Sequence, residues 1–204
     1  MTRFKDLPES EILKKYLPQA SVSYVNDLIE TGTCHLKIVA KRKTKHGDFR
    51  LLPNGQAQIT VNAEENPYRF LITFIHEYAH YLVYNETKRA KPHGQIWKRQ
   101  FQRTMLPLLH PGVFPDSILS PLANHMKNPK ASSDRDLELS LALRKHDENA
   151  DKSLIFELPL ASKFSYNDRV FIKGEKKRKR FECTEVLTHK RYVFHPHAEV
   201  DLIK

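Results

Sequence analysis

Apolar positions recur at helical spacing through most of the chain and at strand spacing towards its end. Residues 17–30 carry Val22, Val25, Leu28 and Ile29 on one face, with Pro18 near the start and Gly32 just past the end, which predicts a capped amphipathic helix. HLKIVAKR (35–42) alternates at Leu36, Ile38 and Ala40 and reads as a strand. KRKTKHGDFRLLPNGQ then reads as a basic loop closed by Pro53, Asn54 and Gly55. QITVN (58–62) is β-branched and alternating, a strand that leads into a helix whose start is marked by Asn66-Pro67. Trp97, Phe101, Met105 and Leu108 keep helical spacing and predict core packing, after which Pro107, Pro111 and Pro115 break the chain. Residues 137–143 have leucine at every second position, but their Leu, Glu and Ala content favours a helix, with Ser132 or Ser133 as its cap. From Leu154 the runs LIFEL, RVFIKG, FECTEVLT and RYVFHPHAEVDLI are short and β-rich, with Gly174 and Pro196 as breaks, and predict three or four strands. HDENADKS (146–153) is the linker candidate. The pattern predicts an α+β chain: a mainly helical domain with a small sheet over 1–150, followed by a small antiparallel β module over 151–204.

The stretch LITFIHEYAHYLVY (71–84) departs from ordinary amphipathicity. On a helical wheel Arg69, Thr73, His76, Glu77, His80 and Tyr84 fall within about 100° of arc, and the rest of the circumference is apolar or aromatic. A helix buried nearly all round with one narrow polar stripe needs partners for that stripe. HEYAH at 76–80 is the H-E-x-x-H pattern: His76 and His80 stand about 40° apart, one turn above the other, where two imidazoles can hold one Zn²⁺. Glu77 lies about 100° round, placed to reach a water beside the metal rather than the metal itself.

A zinc site needs at least one more ligand. The metzincin continuation H-x-x-G-x-x-H fails, because Val83 and Glu86 occupy the glycine and last histidine positions. No acidic residue occurs between Glu86 and Asp116 to supply a glutamate on the next helix. His93, between Pro92 and Gly94 in KPHGQIWKRQF, is the remaining candidate, the alternative being a plain helix-start residue. A second site from Cys183, His189, His195 and His197 lacks the C-x-x-C pair that would support it.

HEYAH, followed by PHGQIWK and preceded by KTKHGDFR and QITVNAEENPY, resembles the SprT-like zinc metallopeptidases, which include the Spartan proteases. The resemblance is detailed from about residue 17 to 114 and looser through the C-terminal segment. It implies a zincin-like catalytic domain with one zinc per chain on His76, His80 and His93, and Glu77 as catalytic base. It also implies a peptidase whose substrates are proteins bound or crosslinked to DNA, with single-stranded or damaged DNA as partner. The family often carries a C-terminal zinc ribbon with four cysteines. This chain has only Cys34 and Cys183, so the module at 151–204 is expected to keep the ribbon's strands without its metal.

Charge adds a second theme. The net +10 divides into +7, −2 and +5 over residues 1–110, 111–168 and 169–204, a distribution that suits an anionic partner. KGEKKRKR (173–180) holds six basic residues and one acidic, and reads as a hairpin tip. Lys173, Lys176, Lys177, Arg178, Lys179 and Arg180 are therefore candidate phosphate contacts, with Lys41, Arg42, Lys43 and Lys45 as a second patch. Phe171, Phe181, Tyr192 and Phe194 are candidate base-stacking surfaces. The alternative for the run is a solvated charged turn. No stretch reaches 18 consecutive apolar residues and the start lacks an apolar h-region, so neither a membrane span nor a signal peptide is expected. Two cysteines make no disulfide framework, and the expected setting is a monomer in the reducing cytoplasm, nucleoid-associated if DNA is the partner.

Three functions follow, in order of support. The first is a zinc metallopeptidase with Glu77 as general base; Tyr84 and Arg69 lie on the polar stripe as oxyanion candidates, neither of them fixed by the motif. The second is a zinc-stabilised nucleic-acid-binding protein without turnover, which would have no need of Glu77 beside the metal. The third is a zinc hydrolase acting on something other than protein.

Overall fold

The computed structural model describes residues 9–42, 45–63, 66–87, 90–147, 152–196 and 198–203. The chain divides into two compact units, residues 1–148 and 149–204. Residues 148–151 of the expected linker lie outside the described residues, as do Lys43 and His197.

The first unit is mainly helical with one small sheet, as the pattern predicts. Its helices are α1 (Glu9–Tyr16), α2 (Val22–Gly32), α3 (Pro67–Glu86), α4 (Gln95–Met105), α5 (Asp116–Lys127) and α6 (Leu137–Arg144). Its strands are β1 (His35–Val39), β2 (Gly47–Leu51) and β3 (Ala57–Asn62), in the order β1-β3-β2. β3 pairs in parallel with β1 and antiparallel with β2. It is central and buried from Gln58 to Asn62.

α3 runs through the middle of this unit. Asn66 caps it, its side chain accepting from the backbone N–H groups of Tyr68 and Arg69 at 3.1 Å, and Pro67 fills the first turn. Phe70, Leu71, Phe74 and Ile75 are fully buried, in one core with Ile59 and Val61 of β3 and Trp97 and Phe101 of α4. Among the described residues no helix is long and apolar enough to cross a membrane.

Several local expectations change. The segment expected as one basic loop contains strand β2. Its polar residues hide the period, but Arg50 crosses to Gln58 on β3, donating from Nη2 to Oε1 at 2.8 Å. The helix expected over 17–30 begins later, after a 3₁₀ turn at Gln19–Ser21. α1 and α5 had no counterpart in the pattern. α1 buries Leu13 and stacks Tyr16 on Phe70, with ring centroids 5.4 Å apart. The residue preceding α6 is Asp136; Ser132 instead accepts the Asp134 N–H at the 3₁₀ turn Ser133–Arg135.

The second unit is a six-stranded antiparallel sheet, larger than the three or four strands expected. Its strands are β4 (Ser153–Leu154), β5 (Lys163–Tyr166), β6 (Arg169–Lys177), β7 (Arg180–Glu185), β8 (Arg191–Phe194) and β9 (Glu199–Leu202), in the order β4-β9-β5-β6-β7-β8. β5 to β8 form a meander, and the chain end returns to pair with β5 and β4. Ile155, Leu158, Phe164, Phe171, Phe181, Cys183, Phe194 and Val200 make its core.

Candidate metal centre

α3 presents His76 and His80 one turn apart, and the chain reverses after it so that His93 meets them. The Gly94 N–H donates to the Lys91 carbonyl at 2.9 Å, closing a four-residue turn with Pro92 and His93 at its centre. His93 has φ +56°, the left-handed conformation that a type II turn requires there and that glycine ordinarily supplies. Holding a histidine in it costs about 1 kcal/mol or more, and the ring gains its place in the cluster.

The three Nε2 atoms converge. His76–His80, His80–His93 and His76–His93 are 3.3, 3.0 and 3.2 Å apart. Nitrogens bound at about 2.0–2.1 Å to one tetrahedral ion would stand about 3.3–3.4 Å apart, so the spacing fits a metal such as zinc. Burial first, then repulsion from neighbouring imidazoles, lowers His76 to about 3 and His80 to about 4. Both rings are neutral at ordinary pH, with lone pairs available to a cation. Among the described residues, this is the group of metal-ligating side chains whose donor atoms come together.

Trp97 of α4 supports all three rings. Its centroid lies 4.7, 5.4 and 4.8 Å from those of His76, His80 and His93, and its Nε1–H donates to the His76 carbonyl at 3.4 Å. It packs in the core, as its spacing predicts, and also forms the floor of the histidine cluster.

Glu77 points beside the triad and is gripped by β2. The closeness is possible only because residue 47 is glycine: a Cβ there would lie 2.7 Å from Glu77 Cγ and 2.7 Å from Thr73 Cγ2. Burial, reinforced by Asp48, pushes the Glu77 carboxyl up to about 7 against a hydrogen bond from the Phe49 backbone and the charges of Lys45 and Arg42. A carboxylate poised near neutrality suits a general base.

With this geometry in hand, residues 13–113 match the model of the SprT-like family. The chain belongs to the SprT-like family over this span. Comparisons with curated proteins and with solved structures gave no match. The SprT-like span contains His76, Glu77, His80 and His93 and ends before α5.

The triad and Glu77 open on a cleft of about 500 Å³. Its walls also include Arg42, Lys45, His46, His125 and Asp134. Two of the cleft histidines are held by carboxylates. His46 Nε2 lies 2.9 Å from Asp134 Oδ2, and His125 Nδ1 lies 3.0 Å from Asp136 Oδ2. The sequence reading missed both pairs. His46 stands inside the KTKHGDFR segment that marks the family, whereas no motif joins His125 to Asp136. The two stripe residues named as oxyanion partners do not line the cleft. Arg69 is tied to Asp134 and Asp147, each at 3.2 Å, and Tyr84 packs on Phe49 with ring centroids 6.0 Å apart.

The candidate phosphate contacts separate. Lys41 is exposed. Arg42 is pinned by Asn62 Oδ1 at 2.8 Å and lines the cleft, as does Lys45, which pairs with Asp48 at 3.0 Å. Lys176, Lys177, Arg178, Lys179 and Arg180 are exposed at the β6–β7 hairpin. Lys173 is not: it is 5% exposed, its ammonium donating to the Leu158 and Phe156 carbonyls and lying 4.3 Å from the Phe181 ring centroid. Phe171, Phe181 and Phe194 are buried in the second core, and Tyr192 is covered by Arg169 at 4.6 Å, so these rings pack the module rather than offer stacking surfaces.

Proposed function

We propose that this SprT-like protein is a zinc-dependent metallopeptidase acting in the cytoplasm on DNA-associated or DNA-crosslinked proteins. The observation that carries the reading is the convergence of three Nε2 atoms beside a buried carboxylate at the floor of an open cleft. His76, His80 and His93 would hold the ion. Zinc there supplies Lewis acidity, polarising a carbonyl and acidifying water. Glu77 accepts the proton of the attacking water and hands it to the leaving amine.

β2 supports a peptide as substrate. β3 is paired on both sides, with β1 and β2, and has no free edge. β2 is at the edge of the sheet and lines the cleft through Gly47, Asp48 and Phe49, where an extended main chain can add as a further strand. The exposed basic residues 176–180 support an anionic partner.

The test uses the purified full chain. Zinc content should approach one per chain, and cleavage of casein and of a DNA-binding protein should be followed with and without single-stranded DNA. Glu77→Gln should keep the zinc and lose about 10²–10⁴-fold in turnover. Equal turnover in wild type and variant overturns the peptidase. Reversing Lys176, Lys177, Arg178 and Lys179 to Glu should weaken DNA binding and flatten its salt dependence by roughly 0.9 for each phosphate no longer neutralised. Unchanged binding would remove this hairpin from the DNA reading.

A further inference from the structure

The cleft wall contains a buried histidine that neither the motif nor the family span includes. His125, on α5, is 3% exposed overall, yet its ring forms part of the cleft wall. It lines the same cleft as His76, His80 and Glu77. Its Nδ1 is engaged by Asp136 Oδ2 at 3.0 Å, and Lys130 Nζ lies 3.6 Å from the same oxygen. Asp136 is the only hydrogen-bond partner of His125 among the described residues, so Nε2 has none. A buried imidazole with one nitrogen fixed by a carboxylate and the other unpartnered in a cleft wall is oriented for something outside the fold.

Peptide hydrolysis at this site has a use for such a group beside the Lewis acid. As water adds, the carbonyl oxygen gains negative charge, and a pre-oriented donor aimed at that oxygen stabilises the transition state more than the ground state. The charged groups on the other wall of the cleft lie with the base. Arg42 gives Nε to Asn62, and its Nη2 is buried without a partner among the described residues, but its charge acts on Glu77; Lys45, whose charge also acts on Glu77, pairs with Asp48. His46 is 34% exposed at the side chain, shares Asp134 with Arg69, and adjoins Gly47 on the strand that grips the base. A donor for the oxyanion is needed apart from the base, and His125 comes from a different element, α5.

We infer that His125, positioned by Asp136, donates a hydrogen bond from Nε2–H to the scissile carbonyl oxygen as it becomes an oxyanion. The inference rests on the peptidase reading and deepens it. In the donor state the ring is an imidazolium, with Nδ1–H on the Asp136 carboxylate and Nε2–H on the substrate oxygen. Neither proton leaves the ring, and no bond is made or broken at His125. Asp136 is a positioning residue. Burial alone would raise its acid, but the hydrogen bond from His125 and the charge of Lys130 outweigh that and hold it below the usual range, so it stays anionic.

The experiment compares zinc-loaded full-length wild type, His125→Ala, His125→Gln, Asp136→Asn and His46→Ala. It measures zinc content, casein turnover, and calorimetric affinity for an N-blocked phosphinic pseudopeptide, whose tetrahedral anionic phosphorus centre mimics the oxyanion. The two His125 variants should keep their zinc, lose about 10²–10³-fold in turnover, and bind the phosphinate at least about tenfold more weakly. Affinity for an uncleaved casein peptide, measured in the Glu77→Gln background, should be unchanged. Asp136→Asn should move the same quantities less. It keeps the imidazole and its surroundings, so it reads the role if His125→Ala fails to fold. Folded, zinc-loaded His125 variants with wild-type phosphinate affinity would overturn the assignment, as would a loss confined to His46→Ala. Wild-type protein that binds the phosphinate through His125 but never cuts casein would overturn the peptidase and leave the donor in place.

Discussion

Both units bury charged or titratable side chains, and the sheet of the second and the cleft of the first treat them in opposite ways. In the second unit Lys173 donates to two backbone carbonyls, and Glu185 accepts from Arg169 at 2.6 Å and from the Thr188 hydroxyl. Both groups close on partners within the same small unit. In the first unit three imidazole lone pairs point at one another, and Glu77 is held where ionisation is disfavoured. A buried polar group that is internally satisfied serves the fold, whereas one left under strain serves something the fold is built to receive. The contrast has measurable consequences.

The largest effect is expected at His93. His93→Gly should weaken zinc binding by more than about 10²-fold, since a ligand is lost outright where even supporting contacts are worth 10–100-fold. The metal-free variant should nevertheless be more stable than metal-free wild type by about 1 kcal/mol, because glycine accepts the positive φ without strain. Urea unfolding in chelator reads the second half, and a less stable variant would mean the turn is not strained. Next comes Gly47→Ala. The added methyl must displace Glu77, and displacing a catalytic group by about 1 Å costs about 10²-fold in turnover. Zinc content should be unaffected, and wild-type activity would show that β2 yields instead.

Glu77→Gln, deleterious for turnover, should stabilise the metal-free protein. The folded carboxyl titrates near 7 and the unfolded one near 4.5, so the folded state retains its proton longer and stability falls as pH rises between those values. Removing the charge should return roughly 3 kcal/mol at pH 8 and almost nothing at pH 4. Equal stability of the two proteins at pH 8 would show that Glu77 ionises without penalty. The smallest effect, of opposite sign, is expected at Glu185. Its acid is lowered to about 2, first by the hydrogen bond from Arg169 and then by that from Thr188. The stability it contributes is present above about pH 4.5 and is lost as pH falls towards 2. Glu185→Gln should therefore unfold more easily than wild type at pH 7, with the two converging in acid. A variant at least as stable at pH 7 would erase the contrast between the units.

How much of this was legible in the sequence depended on whether one stretch carried the whole signal. α3 did: its cap, its all-round apolar surface and its spaced histidines are contiguous. β2 did not, because GDFRL is half polar and is made a strand by its pairing with β3 rather than by its own composition. α5 lay among prolines that argue for breaks, and Pro121 is inside it. Lys173 was hidden by the company it keeps. Counted within a charge run it looks solvated, but it is two residues from Phe171 and so shares that ring's buried face of β6. The pairs His46–Asp134 and His125–Asp136 join separate segments whose approach is a property of the fold, and nothing local in the sequence announces them.

The placement of Trp97 makes the site report on itself. It is the chain's one tryptophan, fully buried and in contact with all three imidazoles. A divalent cation drawn into the cluster changes the electric field on the indole and stiffens the rings around it. Filling or emptying the cluster should therefore alter the intrinsic fluorescence of the whole protein. Titration with chelator, excited at the red edge of indole absorption where tyrosine is silent, would then give metal affinity without a label. The same signal would count loaded molecules in every variant before its activity is assayed.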